Sequence, residues 1–505
     1  MKSILSLYTW LRRLPWSFTV SLLVSLLASL GIVSSILHFF ELRTISDAIL
    51  RMLGPEFLVK KELPGAIDYI LQPIPVFFEG LVTVLIFVIA VLLSYNFAGW
   101  VSRKLSRPPK VFIHDPVSPA AGSGKTLEKF MKAYGVNDLR IGIILAGGGA
   151  KGAFQAGAMK AIYEFLEENN GLDKVKMIAG TSIGSWNSMF WMAGLIKGPG
   201  RGQMSAHERW WKEVRLNRVI AFAPYVPFTK NYFLYTTPWQ QTFKAIFNDT
   251  PAIQTALRER LFQNPQQALH FYLTRSNVES GRLEFATNNI TLPEMTRPKA
   301  KQGGSEPIIP RSQYELIEDK EGIDVLERMQ TAVFASMDLP PLFQYMNIED
   351  ELFEDGGVVD NLPVRFATAV EKCNLLFILP LNASFESPAD QKSLVKRLQR
   401  VMDVRQGVLE RESMKLTYLY NNIAKLKAQP KKAELVSVFA ICPEQPLVIN
   451  TSELYKTNEA GDAFDLMYRV TRNELADNFL EAANPEWLRL ALVSPLGEIT
   501  YREDF

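Results

Sequence analysis

Three short blocks carry residue types that could do chemistry. The first is Gly180-Thr181-Ser182-Ile183-Gly184, a G-x-S-x-G. In a sharp strand-to-helix turn this spacing projects the serine hydroxyl as a nucleophile, and glycines are needed where the turn leaves no room for side chains. The second is Ala146-Gly147-Gly148-Gly149-Ala150-Lys151-Gly152. Its glycines let the backbone approach a ligand, and free N–H groups at a helix start point at negative charge. The third is Asp355-Gly356-Gly357, a carboxylate in a tight turn with small neighbours, able to take a serine proton directly. Asp-Gly is also an ordinary turn signal. The chain has four histidines, His38, His114, His207 and His270. None follows His270, so the hydrolase order serine, acid, histidine is open only if the acid lies between 183 and 269. Otherwise the base is not histidine.

The elements around these blocks suit them. Ile141-Gly142-Ile143-Ile144-Leu145 is a short apolar run typical of a buried parallel strand. The glycine loop follows it, and Phe154 to Leu166 then has helical apolar spacing. Val175 to Ala179 reads as a second strand that runs into the serine turn, with a helix from Ser185 to Leu195. Gly147, Gly149 and Gly152 also satisfy G-x-G-x-x-G, but the dinucleotide reading wants an acid after the second strand, where the serine turn stands instead. Leu375–Leu379 and Leu435–Phe439 read as further strands. Lys392 to Ala428 reads as a charged, solvated helical pair with no catalytic part to assign.

Taken together the three blocks resemble the patatin-like phospholipase family, over roughly residues 139 to 480. Ala335-Ser336, Pro340-Pro341-Leu342-Phe343 and Val358-Val359-Asp360-Asn361-Leu362-Pro363 extend the likeness. The resemblance implies a three-layer α/β/α domain with a mostly parallel sheet. It implies a lipid acyl hydrolase that works through a Ser-Asp dyad and an acyl-enzyme, with no metal or other cofactor. Carried over, Ser182 is the nucleophile and Asp355 the base. The amides of Gly147, Gly148 and Gly149 form the oxyanion hole. Lys151, Gly152, Gly180, Gly184, Gly356 and Gly357 support the motifs. Ala146 stands where the family often has Asp, and Lys151 where it usually has Arg, which keeps the charge without the bidentate fork.

The remainder bounds the function. The 505 residues are 48% hydrophobic and 21% charged, with mean hydropathy +0.02, which excludes a disordered chain and one made mostly of membrane spans. The net charge of +2 demands no nucleic-acid partner. Two cysteines exclude a disulfide framework and a four-ligand zinc site. Residues 1–102 read as an anchor of two transmembrane helices, 14–40 and 80–102, both uncharged and long enough to span. Arg103, Lys104, Arg107 and Lys110 follow the second run, so both termini and the catalytic domain read as cytoplasmic, most simply at a bacterial inner membrane. Residues 103–138 read as a linker. Within it Gly122-Ser123-Gly124-Lys125-Thr126 imitates a phosphate-binding loop, but Pro119 stands at the first glycine and lacks the N–H, so no nucleotide is expected. Eleven aromatics between Trp210 and Phe247 suit either a lid that admits acyl chains or an aromatic core. Residues 297–312 read as a surface loop and 481–505 as a tail. The expected substrate is a membrane phospholipid or lysophospholipid; the competing reading is an inactive scaffold or lipid-binding protein.

Overall fold

Central strands of this chain are apolar on both faces, as a sheet covered on both sides requires. The computed structural model describes residues 124–200, 202–213, 219–222, 232, 234–292, 313–322, 324–382, 394–426, 435–444 and 457–503. In chain order the strands are β1 (Ile141–Leu145), β2 (Val175–Thr181), the two-residue β3 (Ala221–Phe222) and β4 (Leu234–Tyr235), β5 (His270–Asn277), β6 (Leu283–Thr287), β7 (Tyr314–Leu316), β8 (Met346–Ile348), β9 (Glu351–Asp355), β10 (Leu375–Leu379), β11 (Ser437–Pro443), β12 (Leu490–Val493) and β13 (Ile499–Arg502). The helices are α1 (Thr126–Tyr134), α2 (Gly152–Glu168), α3 (Ile183–Met192), α4 (Ala206–Glu213), α5 (Thr237–Phe243), α6 (Pro251–Arg258), α7 (Val325–Met337), α8 (Leu394–Lys425), α9 (Thr457–Asp477) and α10 (Phe479–Ala482).

The main sheet runs β13-β12-β11-β10-β1-β2-β5-β6-β7, with β9 on β5 and β8 on β9. Pairing is parallel from β12 to β5 and between β6 and β7; it is antiparallel at β12–β13, β5–β6, β5–β9 and β8–β9. The fold is therefore mixed α/β with a mostly parallel sheet. β1 and β10 are buried at every residue, and all ten residues of α3 are buried, its polar Ser185, Asn187 and Ser188 being hydrogen-bonded inside the fold. A Cβ on Gly157 of α2 would lie 2.1 Å from the Phe464 carbonyl oxygen of α9, so these two helices pack backbone to backbone.

Contacts divide the chain into two units, Met1–Arg107 with Ile220–Pro238, and Pro108–Val219 with Trp239–Phe505. The main sheet and the three chemical blocks belong to the second. The expected spans 14–40 and 80–102 and the surface loop 297–312 lie outside the described residues. Among the described residues no helix is long and apolar enough to cross a membrane.

Three expectations change. The segment 481–505 is not a tail: β12 extends the parallel sheet and β13 closes its edge, since Leu490, Ala491 and Val493 are buried. The expected linker 103–138 runs into a helix as read, but that helix, α1, is packed into the domain with Phe130 fully buried against Phe479. Lys392 to Ala428 holds one continuous helix of 32 residues in place of a pair, and Gln406, Glu410, Met414, Thr417 and Asn421 face inward along it.

Candidate active site

The parallel register brings the blocks together. Leu145 at the end of β1 pairs with Gly180 on one side and Leu379 on the other. The glycine loop, the serine turn and the residues after β10 therefore leave the sheet at one carboxyl edge, where ligands bind in open α/β sheets. Thr181 pairs with Thr274 of β5, and the next residue of β5, Arg275, pairs with Asp355. β6 occupies the opposite edge of β5. So β9 takes over the edge that β2 gives up when it turns at Ser182. That exchange sets Asp355 beside Ser182 although 173 residues separate them.

Ser182 has φ 53 and ψ −124, a left-handed backbone rare for a residue with a side chain and a form of strain that clusters at functional sites. The turn around it is tight. A Cβ on Gly184 would lie 2.4 Å from the Leu145 carbonyl oxygen, and one on Gly180 would lie 2.6 Å from the Gly184 carbonyl carbon. Ser336, at the end of α7, holds the turn from beneath. Its Oγ accepts the Ser182 N–H at 2.9 Å and lies 2.8 Å from Ser185 Oγ, which itself donates to the Gly180 carbonyl at 2.9 Å.

The Asp355 carboxyl lies close enough to the Ser182 hydroxyl for that hydroxyl to lower its pKa. Asp355 is 1% exposed and accepts the Gly357 amide at 2.7 Å on Oδ1. Burial pushes its carboxyl up from 3.8 to about 7, while the Ser182 hydroxyl and the Gly357 amide pull it down and Glu354 adds to the rise. Gly356 must be glycine, since a Cβ there would meet Thr274 Oγ1 at 2.4 Å. A Cβ on Gly357 would lie 2.6 Å from Asn361 Oδ1. Beside Asp355, Asp338 is 2% exposed; burial and then the Asp355 charge hold it well above the carboxylate range.

The glycine loop lies beside the serine turn. Gly147 abuts the serine: a Cβ there would lie 2.8 Å from Ser182 Cβ. Its amide, however, donates to the Asn361 carbonyl at 3.4 Å, so it is engaged within the fold. Among the described residues the Gly148 and Gly149 amides donate to no backbone carbonyl. Gly152 starts α2 against α3, where a Cβ would meet Ile183 Cγ1 at 2.5 Å. Lys151 is 3% exposed and its Nζ donates to Asn382 Oδ1 at 2.5 Å and to Asp403 Oδ1 at 3.0 Å. Its charge is matched inside the protein, which makes it a strut of the loop and not a headgroup contact.

Neither described histidine serves the serine. His207 is fully buried, with Nε2 2.9 Å from Asn187 Oδ1 and its ring on Phe190, and burial, helped by Lys160, pushes its pKa down to about 3. His270 Nδ1 lies 2.7 Å from Glu371. The aromatic segment is core where it is described outside the first unit: Trp210, Trp211, Trp239, Phe243 and Phe247 are buried. Trp210, Trp239, Phe243 and Phe247 ring Trp186 of α3 at 4.8 to 6.1 Å. Among the described residues no group of three or more His, Cys, Asp or Glu side chains is gathered for a metal ion.

Sequence reasoning missed Asn382, Asp403, Glu410 and Asp338 altogether. Ser336 and Asn361 lie in the motif blocks, but the spacing of those blocks assigns them no task. Only Asn361 had a local signal, by lying six residues after Asp355.

A serine on a strained turn at the carboxyl edge of a mostly parallel sheet, beside a buried acid, is an arrangement able to do acyl transfer. Residues 143–368 match the family model described as Patatin-like phospholipase. Over residues 143–368 the chain is thus similar to patatin-like phospholipases, a likeness that supports lipid acyl hydrolysis in general. The crystal structure of VipD from Legionella pneumophila is similar at 14% identity over 67% of each chain, with a TM-score of 0.31. Comparison with curated proteins gives no match.

Proposed function

We propose that the chain is a membrane-anchored serine hydrolase that cleaves acyl esters of phospholipid or lysophospholipid through a Ser182–Asp355 dyad. The observation that supports this is the strand register that sets the Ser182 turn beside Asp355, a buried carboxyl that burial raises to about 7. A base is most effective when its pKa lies near the working pH. Asp355 takes the serine proton as Oγ attacks the ester carbonyl. The amides of Gly148 and Gly149 receive the oxyanion; such a donor is worth about 2.7–4 kcal/mol of barrier. The C–O bond breaks, and the alcohol leaves with the proton from Asp355. Water, deprotonated by the same carboxylate, attacks the acyl-enzyme, and Ser182 recovers its proton as the fatty acid departs. The two uncharged runs at 14–40 and 80–102 would anchor this domain on the cytoplasmic side of a bacterial inner membrane, with its substrate in the adjoining leaflet.

The test is release of fatty acid by the detergent-solubilised full chain from a panel of phospholipids, lysophospholipids, neutral glycerides and short esters, beside Ser182→Ala. Release that disappears in the variant is the expected result. Folded wild type that releases nothing from any of them would leave a lipid-binding scaffold as the better account.

A further inference from the structure

We propose that Glu410, on the inner face of α8, is a positioning residue that aims the oxyanion loop. This rests on the hydrolase reading above. Glu410 is 1% exposed and its carboxylate collects four N–H donors. Oε1 accepts Asn361 Nδ2 at 2.5 Å and Asn382 Nδ2 at 2.7 Å. Oε2 accepts the backbone amides of Asn382 at 2.9 Å and Leu381 at 3.2 Å. The two side-chain amides then reach on to a single atom. Asn361 Nδ2 lies 3.1 Å and Asn382 Nδ2 3.4 Å from the Gly147 carbonyl oxygen. Each NH2 group has two hydrogens, so each divides them between Glu410 and Gly147.

The Gly147 carbonyl and the Gly148 N–H belong to one peptide unit. In a trans peptide they point in opposite directions across a rigid plane. Fixing the carbonyl toward the two asparagines therefore fixes the Gly148 N–H the other way. Lys151 and Asp403 complete the frame. Lys151 Nζ donates to Asn382 Oδ1, which orients that amide with its NH2 group toward Glu410 and Gly147. Asp403, which holds Lys151, lies seven residues before Glu410, two helical turns along the same face of α8. Asn361 also accepts the Gly147 amide on its backbone carbonyl. The loop is thus held at the Gly147 carbonyl, the Gly147 amide and Lys151, with two of these holds running back to one helix. None of the hydrogen bonds of Glu410 goes to Ser182 or Asp355, so its effect passes through the loop. Both acids of α8 lie beyond residue 368, outside the span that matches the family.

Glu410→Gln keeps the shape but turns an NH2 group toward donors that need an acceptor. We expect kcat on a short-chain p-nitrophenyl ester to fall 10- to 100-fold per folded full-length protein, with KM within about threefold, the signature of an interaction made in the transition state. Asn382→Ala should give a similar loss. The double variant should lose little more than the worse single one, because the two residues act as one strut. Circular dichroism melting supplies the folded fraction, and Asn382→Ala carries the test if Glu410→Gln does not fold. A kcat within threefold of wild type in the folded variants, losses that multiply in the double variant, or a change confined to KM would overturn the proposal. Wild type no faster than Ser182→Ala would instead overturn the hydrolase reading, and the role of Glu410 with it.

Discussion

Asp355 and Glu410 are both fully buried carboxyls, and burial raises each to about 7. Their surroundings differ in one respect that decides what each can do. Asp355 accepts one backbone amide and has the Ser182 hydroxyl beside it, the group whose proton leaves in the proposed reaction. Glu410 is filled by four N–H donors that have no use for a second proton source. A carboxyl with a single reactive partner is a proton acceptor; a saturated one is an anchor. Counting donors around a buried acid thus separates chemistry from scaffolding where the pKa alone does not.

The strongest way to break that comparison is Asp355→Asn. It should lower kcat about 10³-fold or more while the fold survives, against 10- to 100-fold for Glu410→Gln. Comparable losses from the two substitutions, measured as released fatty acid, would mean that the acids do not divide the work in this way. Gly184→Ala is next. Its Cβ has no place beside the Leu145 carbonyl, so stability should fall by about 1–3 kcal/mol in denaturant unfolding and turnover should drop with it. An unchanged midpoint would mean that the elbow relaxes more easily than its geometry suggests.

Titration sharpens the comparison further. As the base, Asp355 must be ionised, so kcat/KM should rise with pH through a limb near 7. Stability should run the other way. A carboxyl raised in the folded state binds its proton more tightly there than in the unfolded chain. Its stabilising contribution is full below about pH 4 and is lost as pH rises through about 7. Asp355→Asn removes that loss, so its melting temperature relative to wild type should be higher at pH 8 than at pH 5. Glu354 and Asp338 adjoin Asp355 and will broaden the transition. A difference that shrinks with rising pH would contradict the raised pKa. The smallest effect should come from His207→Gln. It costs some stability through Asn187 and Phe190, but turnover per folded molecule should stay within about twofold; a large kcat loss would bring histidine back as a candidate base.

The elbow, the glycine loop and the Asp-Gly-Gly turn were legible because each is a local demand on the backbone. Positive φ at Ser182, close approach at Gly180 and Gly184, and a tight turn after Asp355 all select glycine or a small residue within a few positions. β1 and β10 were legible for a similar reason: a five-residue apolar run, short and flanked by turn residues, suits a strand buried on both faces. The likeness to patatin-like phospholipases joined these pieces in order. Other readings missed because their partners are far away. Leu490 to Val493 is a short apolar run that becomes a strand only when β11 lies beside it. Trp210, Trp239 and Phe243 looked equally fit for a lid or a core until Trp186 gathered them.

Residue types by themselves therefore determined the candidate nucleophile, the candidate acid and the strands that bear them, since those are properties of the chain within a few residues. The tertiary structure alone decided that Ser182 meets Asp355 and not a histidine, that Gly147 spends its amide on Asn361, and that Lys151 is matched internally. It alone decided that Glu410, more than 260 residues from the loop it braces, belongs to the site. The physical reason is that hydrogen-bond saturation depends on which donors the fold brings within 3 Å, and no spacing along the chain encodes that distance.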